Sequence, residues 1–197
     1  MSRPIIIYIG QIKHRKGFDL LARAMPAILQ KFPRASFLFI SQSLEGRGEL
    51  DSINRAQGTG ERCFLFTQVD DRNKFLILSF ADALVQPTRY EGFGISVIEG
   101  MACRCPVVST RIPVIDEIIE HEQNGLLASP NDFASVAANV LRLLEEDNLR
   151  RSVVANASAT VMARYTRDQI TRQLVEVYDD LVQSKPSDPR RGKRPGP

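Results

Sequence analysis

Apolar residues in this chain gather in short solid runs, and the stretches between the runs carry them at helical spacing. The first run, Pro4 to Ile9, closes at Gly10. It shows no alternation of apolar and polar positions, so both faces of the strand it predicts are buried, as in a parallel sheet. Ser36 to Ile40, Cys63 to Phe66, Ala83 to Val85, Pro106 to Ser109 and Leu126 to Ala128 predict five more strands. Between the first two lies a helix from Phe18 to about Phe32, with Leu21, Met25, Ile28 and Leu29 on one stripe and Pro26 expected to bend it or to break its hydrogen-bond ladder. Further helices are predicted over Leu44–Gln57, Arg72–Phe80, Ile95 to about Cys103, Val114–Glu120, Asp132–Glu145 and Leu149 to about Tyr165. The last, Asp168 to Val182, repeats Ile170, Leu174, Val177, Tyr178 and Leu181 at helical spacing. Strand and helix alternate with crossovers of helical length, which predicts an α/β fold, a doubly wound parallel sheet of about six strands with helices on both faces. Such sheets bind ligands at the carboxyl ends of their strands, near the topological switch. No internal repeat or linker interrupts the pattern, so residues 1–183 read as one domain and 184–197 as a tail.

One segment departs from plain alternation. After Ala83-Leu84-Val85 comes a loop opened by Pro87, then Arg89-Tyr90-Glu91-Gly92-Phe93-Gly94 and a helix from about Ile95. Gly92 and Gly94 let backbone approach a ligand closely. The helix behind them points unpaired N–H groups and its positive dipole end at the same spot, which makes a phosphate seat. Carboxylates bracket that seat: Glu91 sits in the loop, and a rise of about 1.5 Å per residue puts Glu99 roughly 6 Å along the helix. Carboxylates accept hydrogen bonds from hydroxyls rather than facing phosphates. A ligand with sugar hydroxyls at both ends and phosphates between them meets all three features, and that is the outline of a nucleoside diphosphate sugar.

The loop Gly10 to Gly17 is the second candidate, because it lies at the same edge of the sheet and carries Lys13, Arg15 and Lys16. A lysine just before a helix can neutralise a diphosphate as a point charge. Lys16 is the candidate, with Arg15 and Lys13 as alternatives. There is no Asp-x-Asp, and only His14 and His121 exist, so no metal ligand set is evident.

Composition narrows the class. At 43% hydrophobic and 25% charged residues over 197 positions, the chain is an ordinary globular domain with room for a sizeable core. No apolar run approaches the ~20 residues of a membrane span. The net charge of +3 hides an asymmetry: beyond Gln183 five basic residues face only Asp188, a net of +4, which leaves −1 for the rest. The globular part is therefore no nucleic-acid surface. The tail, rich in Pro and Gly, is expected to be disordered and solubilising, with nothing supporting a peripheral membrane contact. Cys63, Cys103 and Cys105 are odd in number and lack zinc spacing, and the chain enters its first strand without a secretory leader. The expectation is a reduced, cytoplasmic protein.

Taken in order, these residues carry a resemblance. Gly10 with Lys16-Gly17, the run Pro87 to Glu99, Met101-Ala102-Cys103, Pro106-Val107-Val108, Glu117-Ile118-Ile119 and Asn124-Gly125-Leu126-Leu127 resemble the C-terminal, donor-binding domain of a GT-B glycosyltransferase. The relevant family is the large Glu-x7-Glu type, glycosyltransferase family 4 or group 1, and the match runs from about Ile5 to Leu181. The resemblance implies a single Rossmann-like domain in which Glu91 holds the donor sugar's hydroxyls and Glu99 those of the ribose. It further implies that the amides of Phe93, Gly94 and Ile95 meet sugar and phosphates, with Gly92 in the same loop, and that Lys16 meets the diphosphate beside Gly10. Glu91 and Lys16 would be the catalytic pair. Family members mostly transfer a hexose with retention, without a metal or other cofactor in this site, and the leaving diphosphate takes the acceptor proton.

Departures from the pattern are specific. Gln11 stands where the family usually has an arginine, and Arg15 is the alternative supplier of that charge. Ser41-Gln42-Ser43 replaces a glycine-rich loop, Arg104-Cys105 a Gly-Lys, and Pro113-Val114 a Gly-Gly. An acceptor-binding N-terminal domain, as partner domain or partner chain, is also expected, because such enzymes build their cleft from two domains. Two other readings compete with this one. Gly92-Phe93-Gly94 begins a dinucleotide fingerprint, but the third glycine is Val97 and the turn follows the fourth strand. A degenerate, non-catalytic binding or interaction module is the alternative motivated by Gln11.

Overall fold

The computed structural model describes residues 2–183, so the expected tail at 184–197 lies outside the described residues. Six parallel strands form one sheet: β1 (Ile5–Ile9), β2 (Ser36–Ser41), β3 (Cys63–Thr67), β4 (Ala83–Gln86), β5 (Val107–Thr110) and β6 (Leu126–Ala128). Their order is β3-β2-β1-β4-β5-β6, every neighbouring pair parallel. Every residue of β2, β4, β5 and β6 is buried, which is why these strands read as solid runs. β3 lies at the edge and is only partly covered.

The helices are α1 (Phe18–Lys31), α2 (Arg47–Gln57), α3 (Asp71–Phe80), α4 (Ile95–Ala102), α5 (Pro113–Asp116), α6 (Phe133–Glu145), α7 (Asp147–Arg164) and α8 (Arg167–Gln183). α1 packs its buried face, with Leu21, Met25 and Ile28, into a core that also holds Tyr8, Phe37 and Phe39 of the sheet and Val136, Val140 and Leu143 of α6. It continues through Pro26, which has no N–H to give to the helix ladder, as expected. Pro26 lies on the exposed face, opposite the residues that anchor the helix, so packing outweighs the lost ladder bond. α2 starts at Arg47, later than the expected Leu44, and α5 ends at Asp116, earlier than the expected Glu120.

The described residues divide into two compact units, the boundary falling after Met162 in the last turn of α7. The first contains the sheet and helices α1 to α6. The second, where described, is a turn followed by α8, whose amide at Gln169 caps on the Thr166 hydroxyl at 3.3 Å.

The switch lies between β1 and β4, from which the chain winds outward in both directions. Pairing there runs through Ile6–Ala83 and Ile7–Leu84. Beyond it the Gln86 side-chain amide donates to the carbonyl of Ile9 at 2.5 Å, so the strand ends are tied where the ladder stops. Gly17, at φ 72°, begins α1 here, and a Cβ on it would sit 1.8 Å from the carbonyl oxygen of Pro87. Gly17→Ala should therefore lower unfolding stability by at least about 2 kcal/mol in urea denaturation, because backbone must move. Gly58→Ala, at a similar φ of 67° but with nothing within 4 Å, should cost only about 1 kcal/mol.

Candidate functional site

The β1–α1 loop and the β4–α4 loop meet at the carboxyl edge of the sheet, and each presents one member of an ion pair. His14–Lys16 form a single 3-10 turn ending at Gly17. That turn sends Lys16 toward the other loop, where its ammonium donates to the Glu91 carboxylate at 2.6 Å. Both side chains are largely enclosed, at 18% and 17% exposure. Burial alone would raise the Glu91 carboxyl, but the Lys16 ammonium and the amides of Gly92 and Phe93 outweigh it and hold it below the usual carboxylate range.

The three basic residues of the first loop separate cleanly. Lys13 turns away to Glu45 at 3.3 Å. The Arg15 guanidinium donates to the side-chain oxygen of Gln11 at 2.9 Å. Arg15 therefore stands beside the position where an arginine was expected, and Lys16 alone of the three meets Glu91.

α4 begins at Gly94, φ 85°, with no side-chain cap, so its first amides have no partner one turn back. A Cβ at Gly94 would press on Ile118 at 2.8 Å. One turn along α4, Glu99 accepts from the Lys74 ammonium at 2.7 Å, and Lys74 also meets Asp71 at 3.0 Å. Burial disfavours charge on Lys74, yet the two carboxylates prevail and raise its pKa. A second lysine–carboxylate pair therefore flanks the same helix start.

Between the first of these loops, the end of β2 and the β3–α3 connection lies a cavity of about 300 Å3 whose lining includes Gly10, Gln11, Arg15, Lys16, Lys74 and Ser96. Glu91 and Glu99 are not in that lining, but each is bonded to a lysine that is. Gly92, Phe93 and Ile95 are exposed and lie outside that lining, Phe93 and Ile95 more than half exposed. Ser41 and Gln42, in the loop that departs from the expected glycines, line the same space. Lys74, Asp71 and Ser96 escape a reading of the sequence: nothing in the polar start of α3 or the first turn of α4 marks them. A larger cavity of about 470 Å3, bordered by Asp82, Arg104 and Arg150, opens near the amino-terminal ends of β4 and β5 and holds none of these groups. Among the described residues no cluster of three or more His, Cys, Asp or Glu is placed to hold a metal, and no helix is long and apolar enough to cross a membrane.

Comparison with known proteins gives the family and the fold. The family model described as "Glycosyl transferases group 1" matches residues 1–160. An uncharacterized glycosyltransferase of Methanocaldococcus jannaschii is 33% identical over 177 residues, which are 90% of this chain and 45% of that protein. The structure of a sucrose-phosphate synthase from Thermosynechococcus elongatus superposes with a TM-score of 0.83 at 27% identity, covering 92% of this chain and 46% of the other. Anabaena HepE, in complex with UDP-glucose, shares the fold with a TM-score of 0.81 at 20% identity, over 90% of this chain and 49% of its own. The chain spans about half the length of the relatives it matches.

The Lys16–Glu91 pair makes a pH prediction. The Glu91 carboxyl lies below its ordinary 4.5, so the unfolded chain binds the proton first and the pair's stabilisation is present above about pH 4.5. It is lost as pH falls through the folded value. In Lys16→Met burial acts unopposed by the ammonium, so the folded carboxyl should titrate higher than in the wild type. The stability gap between wild type and variant in urea denaturation should accordingly narrow between pH 6 and pH 3.

Proposed function

The chain belongs to the group 1 glycosyl transferase family, and from that premise we propose that it is the donor-binding half of a retaining hexosyltransferase using a nucleoside diphosphate sugar. The observation that carries this reading is the pair of lysine–carboxylate contacts, Lys16–Glu91 and Lys74–Glu99, on either side of an uncapped helix start. The UDP-glucose held by Anabaena HepE supports the ligand class.

In this reading the diphosphate lies over the first amides of α4 and draws the Lys16 ammonium to itself. Glu91 is then released to accept hydrogen bonds from the sugar hydroxyls, and Glu99 from those of the ribose. Transfer breaks the bond between the sugar's anomeric carbon and the diphosphate oxygen and forms one to the acceptor oxygen. The acceptor proton passes to the departing phosphate. Negative charge grows on that phosphate, and Lys16 with the helix tip stabilises it without reorganising. No metal is needed where an ammonium and oriented amides supply the charge. An N-terminal domain or a partner chain provides the acceptor. The alternative, a non-catalytic binding module, rests on Gln11 in place of the family's arginine; the Arg15 guanidinium bonded to it is the substitute charge in the catalytic reading.

Calorimetric titration with UDP, GDP and ADP in EDTA should give binding of at least one. Lys16→Ala should weaken it about tenfold, the worth of one charge-assisted phosphate contact. Glu99→Gln should weaken it as well, while NADP should bind no more tightly than these. Absence of binding by every nucleoside diphosphate would overturn the reading in favour of an interaction module.

A further inference from the structure

Arg89 stands two residues before Glu91 and has no part in the donor chemistry above, yet each of its nitrogens is engaged. Its fork meets the Asp19 carboxylate twice, Nη1 at 2.7 Å and Nη2 at 2.8 Å. Nη1 also donates to the carbonyl of His14 at 2.6 Å, and Nε to the side-chain oxygen of Asn131 at 2.6 Å. Asp19, in the first turn of α1, is 3% exposed. Asn131, at φ 59°, belongs to the loop between β6 and α6. One guanidinium therefore holds three loops that converge on the carboxyl edge of the sheet.

The backbone around it repeats the connection. The carbonyl of Arg15 accepts from the amides of Arg89 and Tyr90, at 2.9 and 3.1 Å, and from the Thr88 hydroxyl at 3.0 Å. Arg15 precedes Lys16, and Tyr90 precedes Glu91. The stitched positions are thus the immediate neighbours of the Lys16–Glu91 pair, of which Lys16 lines the cavity.

We propose that Arg89 is a positioning residue: by clamping the His14–Lys16 turn to the β4–α4 loop through Asp19, it sets the placement of Lys16 against Glu91 and of both against the donor diphosphate. The physical ground is preorganisation. Lys16 ends a long flexible stem, and its ammonium is useful only if the backbone bearing it cannot drift relative to the helix start. An arginine fork suits that task because two parallel hydrogen bonds fix direction as well as distance, whereas a lysine would supply only a point charge. The nucleotide arm of the inference rests on the proposed donor site; the placement of Lys16 against Glu91 does not.

The test uses the chain in three forms: wild type, Arg89→Lys, and the apolar pair Arg89→Met with Asp19→Leu. The pair is included because Arg89→Lys can leave the buried Asp19 carboxylate badly paired and unstable, whereas apolar partners remove that burden. The readouts are urea unfolding, NMR titration of the Glu91 carboxyl, and affinity for whichever of UDP, GDP and ADP the wild type binds most tightly. In both variants Glu91 should titrate higher than in the wild type, and nucleotide affinity should fall about tenfold. The apolar pair should do this while keeping wild-type unfolding stability. Adding Lys16→Ala to either variant should then cost less affinity than it costs the wild type. An unmoved Glu91 titration in a folded variant, or wild-type affinity in the apolar pair, would overturn the clamp and leave a structural ion pair. If Glu91 shifts but the wild type binds no nucleoside diphosphate, the clamp stands and the donor reading fails.

Discussion

Lys16 and Glu91 meet at 2.6 Å although 75 positions separate them, and their meeting depends on where the sheet reverses its winding. β1 and β4 are neighbours in the sheet but not in the chain, and both point the same way. Their following loops therefore leave the same edge side by side, each ending at the start of a helix. Connections to β2 and β5 then turn to opposite sides, which opens the crevice between them. Gln86 reaching to Ile9, and Gly17 passing against Pro87, hold the two loops close enough for side chains to touch.

Charge completes what topology begins. Two ammonium groups meet three carboxylates here, Lys16 with Glu91 and Lys74 with both Glu99 and Asp71. Enclosure penalises the charge on Glu91 and on Lys74, yet the Lys16 ammonium and two amides hold Glu91 low, and two carboxylates hold Lys74 high. Such a site is stable when empty and still able to exchange partners: a diphosphate competes for the ammonium while hydroxyls compete for the carboxylate. The helix start contributes a fixed positive end that takes part in neither pair. Arg89 and Asp19 form a third pair behind these two, more deeply set on the carboxylate side, where burial makes a bidentate partner necessary rather than optional.

The fold was legible because buried parallel strands leave so plain a mark: solid apolar runs such as Pro4 to Ile9 and Ser36 to Ile40 cannot alternate when both faces are covered. The glycine turn was legible for a comparable reason, since Gly94 occupies a left-handed conformation against Ile118 that a side chain would oppose. What could not be read was which side chain of a loop turns inward. Lys13, Arg15 and Lys16 look alike in the sequence, and only the 3-10 turn sends one to Glu45, one to Gln11 and one to Glu91. Pro26 shows the converse: a local rule against helix is outweighed by the packing of its neighbours.

The amino-acid sequence by itself determined the order of strands and helices, the glycine-and-helix seat and the acids on either side of it, because each is written in residues close together along the chain. Only the tertiary structure decided that Lys74 answers Glu99, that Asp19 answers Arg89 and that Arg15 stands at Gln11's side. The first two contacts join residues on different elements, and the third depends on how one turn of backbone is wound. Coulombic attraction and hydrogen bonding act through space, and distance in space is set by the sheet, which no local pattern of residues records.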